Sequence, residues 1–278
     1  MKARILTGLV ALPLLGAIIL FGGSILFFVI WAATLLSLYE YFHAIESTGR
    51  RPFKIIGYCS TLIFPFYGIY EFLPDVYNKI SSYFLGLALL VVVALLYVMY
   101  TTCVVKAEEY SFDDVAHTLF SVFYITIPFF LIMPIYYGEY GKWLVFVLFI
   151  ISWGTDIFAY FVGVFFGKHK IMPKLSPKKS WEGFFGGLVG SVLLMTIYGI
   201  VFTNRFGKFD WWIFSILGLV LSLVSQYGDW FASSIKRRAN IKDFGNILPG
   251  HGGFVDRFDS VIYLVPFVYI FSLLLTGI

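Results

Sequence analysis

The chain has 278 residues, 60% of them hydrophobic and 13% charged, with a mean hydropathy of +0.87. Soluble domains run at about 45–50% apolar and about 25% charged, so this composition excludes an ordinary soluble domain and specifies an integral membrane protein. The net charge of +4 is not gathered in a dense basic tract, which argues against a nucleic-acid partner and for the lipid bilayer.

A helix needs about 20 apolar residues to cross about 30 Å of hydrocarbon. Apolar runs fall at 5–21, 24–43, 55–72, 81–104, 114–136, 142–166, 183–203, 210–232 and 254–277, which predicts an all-α, polytopic protein with about nine transmembrane helices. The first run has the look of a signal sequence, but no small-x-small cleavage site follows it, so it is read as the first membrane segment. Only "FGGS" separates it from the second, and these two form a hairpin whose full span stays open. Cys59 and Cys103 lie in or beside apolar stretches without CxxC spacing and are read as packing residues.

With a cytoplasmic N-terminus, every Lys and Arg except Lys79, Lys142, Arg205 and Lys208 falls on the inside, as the positive-inside rule prefers. Residues 1–278 are read as a single membrane domain in the cell membrane (inner or plasma), crossing it many times. Residues 1–140 are mainly scaffold helices, and 150–278 hold the catalytic helices and cytoplasmic loops. The two long polar loops, 167–182 and 233–253, are both late and both cytoplasmic.

Those loops frame the chemistry. Asp229 sits towards the cytoplasmic end of an apolar helix, where a bare aspartate costs about 2.5–3.5 kcal/mol and so points to function. Pairing with Lys236 or Arg237 in water is the plainer alternative. Asp256 and Asp259, three residues apart, share one face of the last helix. Acids at a helix start complement its dipole by about 0.3–1 kcal/mol each, which explains either aspartate alone but not a pair beside Asp229. Three carboxylates without His or Cys partners suit a hard cation, Mg2+ with Mn2+ as substitute, bridging to phosphate.

Gly250, Gly252 and Gly253, around His251, let backbone N–H groups approach an anion at the start of that helix, although a glycine loop by itself is weak support. "LSPKKSWEG" adds Lys178 and Lys179, the hydroxyls of Ser176 and Ser180, and Glu182 in a first helical turn. With Lys236, Arg237, Arg238 and Lys242 these lysines ring the carboxylates with positive charge; the plainer reading is topology and anionic lipid. Asp156 is a fourth acid at membrane depth, with no role derivable from spacing.

The run Ser233, Lys236, Arg237, Lys242, Asp243, Gly245, Leu248, Pro249, His251, Gly252, Gly253, Asp256, Arg257, Asp259 resembles, without a gap, the C-terminal pattern of the phosphatidate cytidylyltransferases (CDP-diacylglycerol synthases). A second stretch, Asp156 to Gly183, is similar to that family's other pattern, departing at Ile157 and Phe158, where small residues are common, and at Ser180, where the family has threonine. The resemblance covers 150–278 by motif and the N-terminal half by hydropathy only. It implies that CTP and phosphatidic acid give CDP-diacylglycerol and pyrophosphate, with Asp229, Asp256 and Asp259 as metal ligands and Lys178 and Lys179 as catalytic residues. It further implies that Ser176, Ser180, Glu182, Lys236, Arg237, Lys242, His251, Gly252, Gly253 and Arg257 contact substrate, and it suggests a second, monovalent cation such as K+. A homodimer is left open. The rival readings are an ion-coupled transporter using the intramembrane aspartates and a transferase acting on CDP-lipid, whose Asp-Gly-x-x-Ala-Arg start is absent.

Overall fold

The computed structural model describes residues 13–72, 74–173, 175–247 and 252–276. Their regular secondary structure is helical but for a two-stranded hairpin. Residues 13–21 (α1) are followed by α2 Gly23–Glu46, α3 Lys54–Cys59, α4 Ile63–Phe72, α5 Pro74–Val105, α6 Phe112–Ser121, α7 Ile127–Tyr137 and α8 Gly141–Phe166. Strands β1 Lys170–Met172 and β2 Ser176–Ser180 precede α9 Trp181–Phe206, α10 Trp211–Arg238 and α11 Val255–Thr276.

Among the described residues six helical paths are long and apolar enough to cross a membrane: Gly23–Glu46, Phe112–Tyr137, Gly141–Phe166, Trp181–Phe206, Trp211–Arg238 and Val255–Thr276. The protein is therefore an all-α, multi-pass membrane protein. The nine apolar runs map less simply. Run 114–136 is one path through α6, a π-helical segment Val122–Thr126 and α7, whereas run 55–72 is divided among α3, a 3-10 turn and α4. Run 81–104 lies within α5, and of run 5–21 only residues 13–21, which form α1, are among the described residues.

The chain separates into two compact units, Phe21–Phe130 and Met1–Leu20 with Leu131–Ile278. In the first, lipid offers no water to polar groups, and buried hydroxyls return to their own helix: Thr34 and Ser37 of α2 donate to the carbonyls of Ile30 and Ala33 at 2.8 Å. Asp114 closes a capping box with Ser111 and accepts the Arg51 amide at 2.6 Å, which ties the start of α6 to the 51–53 segment.

The second unit carries the long loops. Its helices α8 and α9 approach along a seam of small residues, Thr155, Ala159 and Gly163 on one and Gly183, Gly187 and Ser191 on the other, each four residues apart. A Cβ at Gly187 would stand 3.0 Å from the Thr155 carbonyl oxygen and 3.2 Å from Ala159 Cβ, and one at Gly183 2.7 Å from the Ala159 carbonyl oxygen. The Thr155 and Ser191 hydroxyls meet at 2.6 Å across the same seam. Without a hydrophobic drive between helices in lipid, such close backbone contact and interhelical hydrogen bonding are what hold them together. The seam brings the end of α8 to the start of α9, so the chain between them must fold back on itself.

Candidate active site

That returning chain is the β hairpin, with Lys170 opposite Ser180 and Met172 opposite Ser176. Its exit is built by capping chemistry. Ser180, with extended backbone, accepts the Gly183 amide on its hydroxyl at 3.2 Å as N-cap of α9, and the Trp181 amide donates to the His169 carbonyl at 2.9 Å. Glu182, in the first turn, accepts the amides of Lys168 at 3.1 Å and His169 at 3.3 Å and bonds His169 Nδ1 at 2.7 Å. One carboxylate thus fastens the entry of the hairpin to the helix at its exit.

A second close approach joins α10 to α11. A Cβ at Gly228 would lie 2.7 Å from Tyr263 Cβ and 3.3 Å from the Asp259 carbonyl oxygen, so only glycine lets Asp229 stand against the helix that carries Asp259. Asp256, one turn before Asp259, has its Oδ2 occupied by the amides of Phe244 at 2.8 Å and Gly253 at 3.0 Å, and its Oδ1 by Lys236 Nζ at 2.6 Å. The Lys236 and Asp256 side chains are 12% and 5% exposed, and breaking so enclosed a pair costs about 3–5 kcal/mol because one charge is left alone. Gly252 has φ +80°, which glycine adopts without a Cβ penalty, and a Cβ there would meet Asp256 Oδ2 at 3.3 Å.

These approaches enclose a cavity of about 600 Å³. Its acidic lining is Asp156 from α8, Asp229 from α10, and Asp256 and Asp259 from α11; its basic lining is Lys170, Lys178 and Lys179 from the hairpin. Tyr160, Val164, Ile171 and Phe184 supply apolar surface. Lys179 forms an ion pair with Asp229 and lies 5.6 Å from the centre of the Trp230 ring. Asp259 is buried and accepts the Ser260 amide on Oδ1 at 2.7 Å.

Among the described residues no three His, Cys, Asp or Glu side chains stand together as a metal cage. The donor chemistry nevertheless fits a hard divalent cation: the cavity acids offer only carboxylate oxygens, and the cations facing Asp229 and Asp256 are lysines.

A profile of the cytidylyltransferase family matches residues 2–275. The chain belongs to the cytidylyltransferase family. Proteins named phosphatidate cytidylyltransferase from Staphylococcus haemolyticus, Bacillus subtilis and Staphylococcus aureus are similar to it, at 32%, 32% and 34% identity over 97% of this chain and 98%, 96% and 98% of their own. This cytidylyltransferase-family protein is a nucleotidyltransferase, and the transporter alternative gives way.

In this family member the cavity gathers Asp229, Asp256, Asp259, Lys178, Lys179 and Ser180 from the residues singled out in the sequence, and Asp156, which had no role, lines it too. The other described residues stand off the cavity lining. Glu182 fastens the hairpin, Lys236 holds Asp256, and Arg237 donates to the carbonyls of Leu175 at 3.5 Å and Ile241 at 3.4 Å. Ser176 opens β2, Lys242 and Arg257 are exposed, and the Gly253 amide that was expected to face an anion is engaged by Asp256. Gly250 and His251 lie outside the described residues.

Sequence reasoning missed Lys170 and Gln226, which both line the cavity. Lys170 reaches its neighbours only through strand pairing, its Nζ 3.4 Å from the Lys178 carbonyl oxygen. Gln226 precedes Asp229 by three residues on α10, a helical spacing that could have marked it.

Proposed function

We propose that the protein transfers the cytidylyl group of CTP to phosphatidic acid, releasing CDP-diacylglycerol and pyrophosphate, at the cytoplasmic face of the cell membrane and with Mg2+. The observation that carries this reading is the single cavity in which three hairpin lysines face four helix-borne aspartates beside apolar surface. Polyphosphate needs the cations, and a diacyl lipid needs the apolar side.

In mechanism, a phosphate oxygen of phosphatidic acid attacks the α-phosphorus of CTP, the new P–O bond forming as the bond from that phosphorus to the α,β-bridging oxygen breaks. Pyrophosphate carries away the electron pair. Phosphate is already a nucleophile at neutral pH, so no Ser or Cys is required. Lys170, Lys178 and Lys179 neutralise the phosphates and hold attacking and leaving groups in line, a term that grows where water is excluded. Asp229, Asp256 and Asp259 would hold Mg2+, which when bound neutralises charge on the triphosphate and the departing pyrophosphate. The cytoplasmic placement is supported by the distribution of Lys and Arg between the apolar runs.

The purified protein in mixed micelles should release pyrophosphate from CTP when phosphatidic acid is supplied and not when it is withheld. Chelation should abolish release and Mg2+ or Mn2+ restore it. Release that does not depend on the lipid would overturn the proposal.

A further inference from the structure

Gln226 is 6% exposed and lines the cavity, yet it is an uncharged residue among aspartates and lysines. Its Nε2 donates to the backbone carbonyl of Phe184 at 3.4 Å. A carbonyl oxygen can only accept, so the amide nitrogen must be the atom turned to Phe184 and the amide oxygen the atom turned away. Among the described residues neither that oxygen nor the second N–H has a protein partner. A free glutamine amide can rotate to suit either of two complementary ligands; this one has its nitrogen turned to the backbone of the neighbouring helix.

A phosphate cannot satisfy it, since a phosphate offers only acceptor oxygens to an amide oxygen. The matching ligand edge has a donor beside an acceptor. The 4-amino group and N3 of cytosine are such an edge, and uracil presents the reverse order, an oxygen at position 4 and an N–H at position 3. Phe184 lines the cavity beside this amide, with its ring stacked on Trp230 at 5.7 Å between centres. Lys179, on the same Trp230 ring, and Asp229, one turn or about 5 Å along α10, lie where a triphosphate would extend.

We propose that Gln226, oriented by the Phe184 carbonyl, is the residue that selects cytosine in the nucleotide subsite. The inference rests on the cytidylyl-transfer reading and adds the location of the base pocket and the source of its specificity.

The test is competition by nucleotides during lipid-dependent pyrophosphate release in the full-length protein. The wild-type protein should prefer CTP over UTP by about 10- to 100-fold. N4,N4-dimethyl-CTP, which keeps the ring but loses both amino hydrogens, should fall to the level of UTP. In Gln226→Leu the ratio of CTP to UTP should approach one, while inhibition by inorganic tripolyphosphate stays at the wild-type value and shows that the phosphate side is intact. An unchanged ratio in Gln226→Leu, or full activity with N4,N4-dimethyl-CTP, overturns the subsite. Because the dimethyl analogue probes the unaltered protein, it decides the matter even if the variant does not fold. If the wild-type protein shows no lipid-dependent turnover of CTP, the cytidylyl-transfer reading fails and the subsite with it; turnover of CTP with an unchanged ratio removes the subsite alone.

Discussion

Asp229 and Asp256, alike in the sequence as acids beside apolar runs, are held differently. Asp229 is paired with a partly exposed lysine of the hairpin, whereas Asp256 receives two loop amides and an enclosed Lys236. Their neutral variants should therefore behave differently. Asp229→Asn and Asp259→Asn should fold and lose at least about a hundredfold in turnover, the effect expected when several kcal/mol of charge stabilisation is removed. Asp256→Asn should lose activity and also unfold earlier, because Lys236 would be left enclosed without its counter-charge at a cost of about 3–5 kcal/mol. Turnover in limiting Mg2+ and unfolding midpoints in detergent separate the two effects. Normal turnover in both Asp229→Asn and Asp259→Asn would sink the metal reading. The depth of these acids was legible in the sequence because hydropathy locates it. What each one bonds was not, since Phe244, Gly253 and Lys236 meet Asp256 only after the loop has folded.

At the scale of elements, the hairpin and the small-residue seam decide whether the lysines reach the aspartates at all. The seam is readable afterwards as four-residue spacing, but several glycines in α9 compete for that role: Gly186 and Gly190 meet the side chains of Val162 and Phe158, and only approach to the α8 backbone, at the Ala159 and Thr155 carbonyls, selects Gly183 and Gly187. Gly187→Leu should push α8 and α9 apart, lowering the unfolding midpoint by the equivalent of about 1–3 kcal/mol and reducing activity, whereas a change at the lipid-facing Val189 should do neither. An unchanged midpoint in Gly187→Leu would show that the seam does not hold the helices. The hairpin itself was read as a polar loop, because three- and five-residue strands rich in lysine and proline carry no alternation of apolar and polar residues. Backbone pairing and the Glu182 clamp make it, and both are invisible to periodicity.

For the whole molecule, the proposed inside placement of the basic gaps makes a prediction that needs no catalysis. Met172 and Asn246 are both exposed, one on the hairpin and one on the loop after α10. In a variant lacking Cys59 and Cys103, cysteines at these positions should react with an impermeant thiol reagent from the same side of sealed vesicles, the side of the cytoplasm. Labelling from opposite sides would separate the two loops and end the one-cavity account. The sequence by itself determined that the chain is helical, spans the membrane several times, carries its polar chemistry late, and belongs with the cytidylyltransferases. Apolar length, charge placement and motif order are properties written along the chain, so no contact is needed to see them. Only the tertiary structure decided which polar groups share the cavity, Asp156, Lys170 and Gln226 among them, and which are engaged away from it, Lys236 by Asp256 and Glu182 by the Lys168 and His169 amides. That partition is set by where backbones approach closely, at Gly187 and Gly228, between helices whose distance along the chain says nothing of their distance in space.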